Sequence, residues 1–183
     1  MAKARTGAFY LTEQVLLTTT ATPVQGNISL ASYIDVAGKQ GIAIEQVDFM
    51  YQSELAGEYF PTVGGINTAA SLWTAGGQVT DVNRGVGIVS AADRALIGSS
   101  ALSMSTNGGL YHQSDLYPDN YGPVSSDEAR IVVNDQLFFT ATCNGDFSTG
   151  NNMAVTVRLK CRIVKLSERD FMAIAITSSA ADN

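Results

Sequence analysis

VRLKCRIVKLSERDFMAIAI, residues 157–176, decides how the chain is read. Its first half alternates. Val157, Leu159, Cys161 and Ile163 are apolar, and Arg158, Lys160 and Arg162 stand between them. Successive side chains of a strand point to opposite faces, so one phase buries an apolar row and displays three cations on the other side. The reverse phase would bury three charges, and a buried charge without a partner is strongly destabilising. Extended upstream, residues 153–166 read as the longest strand of the chain. Ser167 then has the position of a helix N-cap, with Asp170 three residues on and Leu166 and Phe171 placed as a hydrophobic staple. A short helix over 168–174 is expected, although Met172, Ile174 and Ile176 alternate, so that 168–176 also fits a strand.

Working outward, strand signals dominate. FYLTEQVLLTTTA (9–21) is rich in aromatic and β-branched residues. NISLASYIDV (27–36) alternates, and GIAIEQVDFMYQ (41–52) alternates in two phases, Ile42 and Ile44, then Val47, Phe49 and Tyr51. The change of phase at Glu45–Gln46 predicts a β-bulge. AGKQG (37–41) fits a tight hairpin between these two strands. Further strands are expected within 71–82, broken at Gly76–Gly77, and at 85–90, 100–106 and 130–144, the last kinked at Asn134–Asp135. Residues 91–98 fit one or two helical turns. The segment 145–152 fits the loop of a hairpin joining 130–144 to 153–166. Residues 53–70 and 107–129 are turn-rich and read as long loops. About eight strands without a long helix or internal repeat predict an all-β chain, and eight favour a jelly-roll sandwich over an immunoglobulin-like one. The expected organisation is a single jelly-roll domain over 1–183, with an N-terminal arm at 1–8 and a C-terminal helix and tail at 167–183.

Composition narrows the function. The chain has 183 residues, 45% hydrophobic, enough for a substantial core. Its first fourteen residues carry two cations and no apolar run, which does not read as a secretory signal, so synthesis in a cytoplasm is expected. Residues 157–170 hold five cations against Glu168 and Asp170, a local excess of three. The whole chain is at −6, which leaves the remainder at −9. Lys3 and Arg5 in the arm are too few to neutralise a nucleic acid. Cys143 and Cys161 match no zinc spacing and fall in apolar strand contexts, so both are expected to be buried and unbonded.

Catalytic chemistry is hard to assemble from these residues. His112 is the single histidine, so a histidine-rich metal site is excluded, and GSSALS lacks the nucleophile-elbow spacing. Asp115, Asp119, Asp127 and Glu128 could offer oxygen to calcium, but not at EF-hand spacing, and a solvated loop is the expected reading. No cofactor, metal or small-molecule substrate is called for. Tyr111, Tyr117 and Tyr121, with Tyr59, Phe60 and Trp73, lie in or beside the expected loops. They could contact a partner or pin the loops onto their own sandwich. The outward cations Arg158, Lys160 and Arg162 fit a solvated face answering acidic neighbours, a subunit contact, or a surface facing membrane or nucleic acid.

LASYIDVAGKQGIAIEQVDFMYQ (30–52), together with the terminal VRLKCRIVKLSERDFMAIAI, resembles single-jelly-roll major capsid proteins of icosahedral viruses of prokaryotes, of marine or archaeal type. The resemblance covers both ends of the chain and not 53–129. It implies a structural, non-enzymatic subunit that assembles with copies of itself, and with other virion proteins, into an icosahedral shell. Arg158, Lys160, Arg162, Tyr111, Tyr117 and Tyr121 are the candidate interface residues, and the virion is the expected location. An inner membrane or genome contact is left open. The other reading is a jelly-roll carbohydrate-binding module or a virion spike or tail component.

Overall fold

The chain pairs its strands from the outside in. A computed structural model describes residues 2–18, 22–60, 72–105, 111–118, 121–126, 128–144 and 151–180. In chain order these form β1 (Lys3–Ala4), β2 (Phe9–Leu17), β3 (Val24–Ser29), β4 (Gln40–Leu55), β5 (Glu58–Phe60), β6 (Leu72–Thr80), β7 (Leu96–Ser105), β8 (Tyr111–Tyr117), a 3-10 turn (Val124–Ser126), β9 (Arg130–Val132), β10 (Gln136–Cys143), β11 (Asn151–Lys165) and α1 (Glu168–Ala180). Setting aside β1, β5 and β8, eight strands remain. The first pairs with the last (β2 with β11), the second with the seventh (β3 with β10), the third with the sixth (β4 with β9), and the fourth with the fifth (β6 with β7), all antiparallel. That nesting is a long hairpin ribbon rolled into two facing sheets, a jelly roll. The first sheet runs β2–β11–β4–β9 and the second β3–β10–β6–β7. β1 continues the β2 edge along β11, β5 folds back on β4, and β8 extends the second sheet beyond β7.

Apolar alternation on the inner faces fills the space between the sheets. Leu17, Ile42, Ile44, Val47, Met153 and Leu159 from the first sheet meet Ile28, Val79, Ile97, Leu137 and Phe139 from the second, all buried. Each such side chain contributes about 1.5–3 kcal/mol on leaving water. The ring of Phe49 lies 6.2 Å from that of Phe139. Gly77 faces both, and a Cβ there would come within 3.2 Å of Phe49 and 3.3 Å of Phe139. The expected break at Gly76–Gly77 is therefore absent: β6 runs through both glycines, because Gly77 gives the facing rings their room. Tyr51 crosses between the sheets and donates to the Ser100 carbonyl at 2.9 Å.

A second apolar cluster lies outside the first sheet. Ala43, Val164, Val133, Val124, Leu166 and Phe171 pack together there, with Ile131 and Ile174 at its margin. α1 closes over one half of the sheet's outward face. Ser167 caps it as expected, its hydroxyl accepting from the Asp170 amide at 3.1 Å, and Leu166 and Phe171 meet in the same cluster. The alternation over 172–176 yields to the helix, which runs on to Ala180.

Several connections differ from expectation, three of them because neighbours in sequence here switch sheets. The 27–36 strand stops at Ser29, and the chain crosses to β4 through the 35–40 turn, so AGKQG does not join a two-strand hairpin. The kink at Asn134–Asp135 is a change of sheet, from β9 to β10. β10 and β11 likewise lie in opposite sheets, so 130–144 and 153–166 form no hairpin. The 85–90 stretch is a loop with Val86 and Ile88 exposed, held to β6 by Gln78, which exchanges hydrogen bonds with the Val89 backbone at 2.7 and 3.0 Å. The 91–98 stretch forms turns leading into β7 rather than helix. β5 and β8 fall inside 53–70 and 107–129, the two stretches read as loops. Residues 61–71 and 106–110 lie outside the described residues, as does most of 145–152.

Candidate subunit-contact face

β11 sits between β2 and β4, so its outward row runs down the middle of the first sheet. Val157, Leu159 and Cys161 are buried towards the core as expected, joined by Val155, whereas Ile163 at the end of the row is only partly buried; Arg158, Lys160 and Arg162 stand on the other face. The β-bulge falls where the change of phase predicted it: β4 slips by one residue at Glu45, between the Lys160–Gln46 and Cys161–Ile44 pairs. The extra residue turns its carboxylate under the cation row. Glu45 is only 4% exposed. It accepts from Arg162 Nε at 2.8 Å and from the Val124 amide at 3.2 Å, with Lys160 Nζ at 3.8 Å. A buried carboxylate persists when it is paired and hydrogen-bonded in this way. It also acts on Cys161, whose thiol is pushed up to about 12 by burial first and by the Glu45 charge second. Both cysteines are buried and neither forms a disulfide.

Arg158 is arranged differently. Its guanidinium lies 4.0 Å from the centre of the Tyr10 ring, and among the described residues it makes no ion pair. Across the ladder it faces Asp48 on β4 and Thr12 on β2. Next along the outward face come Met50, opposite Thr156, and then Leu16, opposite Ala154; both are exposed. Tyr59 on β5 reaches over this half and donates to Gln14 Oε1 at 3.3 Å. The half of the sheet that α1 leaves open thus carries Arg158 opposite Asp48, with Met50 and Leu16 exposed on either side of β11.

The tyrosines divide. Tyr121 packs against the core, and its hydroxyl donates to the Ile97 carbonyl; burial pushes its pKa up to about 12. Tyr117 is exposed at the end of β8. Tyr111 opens β8, its backbone opposite Ser105. His112 and Asp115 lie on the same strand, opposite Met104 and Ala101. Asp119 and Asp127 lie outside the described residues, and Glu128 is exposed beside α1. Among the described residues no three His, Cys, Asp or Glu side chains gather as a metal site would require. A cleft of about 430 Å³ beside α1 is lined by Asp81, Tyr121, Arg130 and Ile174. Asp81 pairs with Arg130 at 3.1 Å, and its pKa is raised because burial outweighs the attraction of that guanidinium.

No protein-family model and no curated protein matches the chain. Among solved structures it is similar to viral capsid proteins. One is VP1 of Trichodysplasia spinulosa-associated polyomavirus in complex with GM1 oligosaccharide, at 7% identity over 86% of this chain and 94% of that one, with a TM-score of 0.38. The same VP1 in complex with 6'-sialyllactose matches at 7% identity over 89% and 98%, TM-score 0.38. Desmodium yellow mottle tymovirus matches at 10% identity over 88% and 91%, TM-score 0.30. The jelly-roll assignment rests on the strand pairing above and needs none of these likenesses.

Sequence reasoning had the cation row and its direction, but not Glu45, Tyr10, Met50 or Leu16. The signal for Glu45 was present: an acid at a phase change is a bulged residue whose side chain must go somewhere polar. Nothing local places Met50 and Leu16 on one face, because the strand that sets their two strands side by side with itself, β11, follows Met50 by about a hundred residues.

Proposed function

We propose that the chain is a capsid subunit that assembles with copies of itself into a shell, with a structural and not a catalytic role in the virion. The observation that carries the reading is the divided outward face of the first sheet. One half is covered by the chain's own α1, and the other presents Arg158 beside Met50, Leu16 and Tyr59. Exposed apolar and aromatic side chains set beside a cation suit a contact with another surface. The jelly roll supports the reading by analogy of fold, since such sandwiches pack side by side in capsids. Arg158, Lys160, Arg162, Tyr111 and Tyr117 belong to the proposed contacts, and Tyr121 to the positioning of the segment that follows β8. The virus type proposed is an icosahedral virus of prokaryotes, on the sequence resemblance of residues 30–52 and 157–176.

Sedimentation of the purified protein across protein and salt concentration, with electron micrographs of the fast fractions, tests the proposal. Capsomers or shells are expected. A species that stays monomeric up to millimolar concentration at every salt level refutes it.

A further inference from the structure

β1 is two residues long, yet it brings together cations from the two ends of the chain. Lys3 pairs with Lys165 and Ala4 with Val164. Arg5 prolongs the pairing, its amide donating to the Ile163 carbonyl at 2.8 Å, and the Thr6 hydroxyl accepts from the Ile163 amide at 3.1 Å. The flanking residues fix the faces. Ala2 packs against the apolar cluster under α1, and Val164 and Leu166 belong to it. Successive strand residues point to opposite sides, so Lys3 and Lys165 stand together on the side away from α1, with Arg5 ~7 Å along from Lys3. All three are exposed.

Like charges directly opposite each other weaken a strand pair, and among the described residues no acid relieves this one. Lys3, Arg5 and Lys165 make no ion pair there. The acids that come near are engaged or lie on the other side. Asp35, beyond Gln40 in the same row, accepts from the Gly38 amide at 2.9 Å. Glu168 is paired with Lys39 at 2.8 Å, and Asp170 lines a cleft with Ala2 on the α1 side. The outward row of β11 is engaged as well, Lys160 and Arg162 by Glu45 and Arg158 by the Tyr10 ring. Three cations thus gather without partners in a chain whose net charge is −6.

We propose that Lys3, Arg5 and Lys165 form a site for the phosphate backbone of a nucleic-acid strand. The site deepens the capsid-subunit reading and rests on it for the identity of the strand, a genome enclosed by the shell. Phosphate oxygens accept charge-assisted bonds from ammonium and guanidinium groups alike, and release of condensed counterions favours a polyanion over a single ion. A bilayer suits the group less. Surfaces that bind lipid set bulky apolar side chains beside their cations, and the 35–40 turn next to this row exposes Val36 as its one large apolar side chain. Three contacts per copy do not neutralise a genome. They hold a strand when many copies face it at once, as on the inside of a shell.

The test is the binding of a fluorescent oligothymidine strand to the purified protein, read by anisotropy across salt concentration. Each phosphate contact to a single strand adds about 0.7 to the fall of log affinity with log salt, so a slope of about 2 is expected. Arg5→Gln should lower it to about 1.4, and Lys3→Gln with Lys165→Gln to about 0.7, while Arg94→Gln, an exposed cation outside the row, leaves it unchanged. Parallel urea melts should show every variant as stable as the parent, since the exchanged side chains are exposed. Unchanged slopes in Arg5→Gln and in the double variant overturn the site. Tighter binding to vesicles of phosphatidylserine and phosphatidylcholine than to the strand also overturns it and assigns the cations to a membrane. Sedimentation of the same samples separates the two readings. A parent that assembles without binding the strand refutes the site alone, and a parent that binds with the expected slope but stays monomeric keeps the site and refutes the shell.

Discussion

Replacing Glu45 by alanine should unfasten three segments at once. The Arg162 bond at 2.8 Å is charge-assisted, and such bonds contribute about 1.5–3 kcal/mol. The Val124 amide is buried and would lose its acceptor, at a cost of about 1–3 kcal/mol. Lys160 at 3.8 Å is one-third exposed and contributes about 0–1 kcal/mol. Water reaches both cations in the variant and recovers part of this, so a net loss of about 3 kcal/mol is expected. For a chain of this size, about 2–4 °C of melting temperature goes with each kcal/mol, which gives a fall of about 6–12 °C. Glu45→Gln keeps an acceptor without the charge and should lose about half as much. The assay is urea unfolding of the dissociated subunit followed by far-ultraviolet circular dichroism, with the slope unchanged and the midpoint displaced. A loss under about 1 kcal/mol for Glu45→Ala would show that the carboxylate does not hold the bulge, β11 and the 3-10 turn together.

Arg158→Gln should change subunit stability by less than about 1 kcal/mol, since it removes only an exposed cation–π contact, whereas Arg162→Gln should cost clearly more by stranding Glu45; equal effects in parallel urea melts would contradict the division of the cation row. Gly77→Ala should cost about 1–3 kcal/mol by pressing on Phe49 and Phe139, while Gly87→Ala, with nothing within 4 Å of its added carbon, should stay within about 0.5 kcal/mol; a neutral Gly77→Ala would mean the sheets can part there. Alkali should unfold the subunit early. The fold raises Cys161 from 9.0, and Tyr51 and Tyr121 from 10.0, each to about 12, so each favours its neutral form in the folded state. The stability they lend is complete below the unfolded values and is lost as pH rises from 9 through 12. Two tyrosines are expected to ionise only together with the loss of circular dichroism, and their free titration near pH 10 in folded protein would refute the burial described.

What could be read in advance was whatever depends on neighbours a few residues apart. The direction of β11 follows from period two and the cost of burying Arg158, Lys160 and Arg162. The bulge follows from the slip between Ile44 and Val47, and the start of α1 from Ser167. Partnership between strands was not legible. In the jelly roll, β2 meets β11 and β3 meets β10, and nothing in 24–29 names 136–143 as its mate. Adjacent strands therefore read as hairpins, as with AGKQG and with 130–144 against 153–166, when a sheet change separated them. Val86 and Ile88 mimicked a strand because apolar alternation is the same signal on an exposed loop. β8 was missed because its polar sequence, YHQSDLY, owes its extended form to the edge of β7. The candidate contact face was half legible: its cations are local, whereas Met50 and Leu16 share a face with them only once β2, β11 and β4 lie side by side.

The place of β11 between β2 and β4 has a consequence for synthesis. Until it leaves the ribosome, β2 and β4 have no common neighbour, the first sheet is two separate edges, and the face carrying Met50 and Leu16 does not exist. Pairings that span this much chain form late, because the intervening segment must be closed into a loop before they return anything. The surface by which copies would recognise one another is thus completed last. Under the proposed assembly, nascent chains stopped before residue 151 should be unable to enter a growing shell, since the open half-sheet is not yet formed.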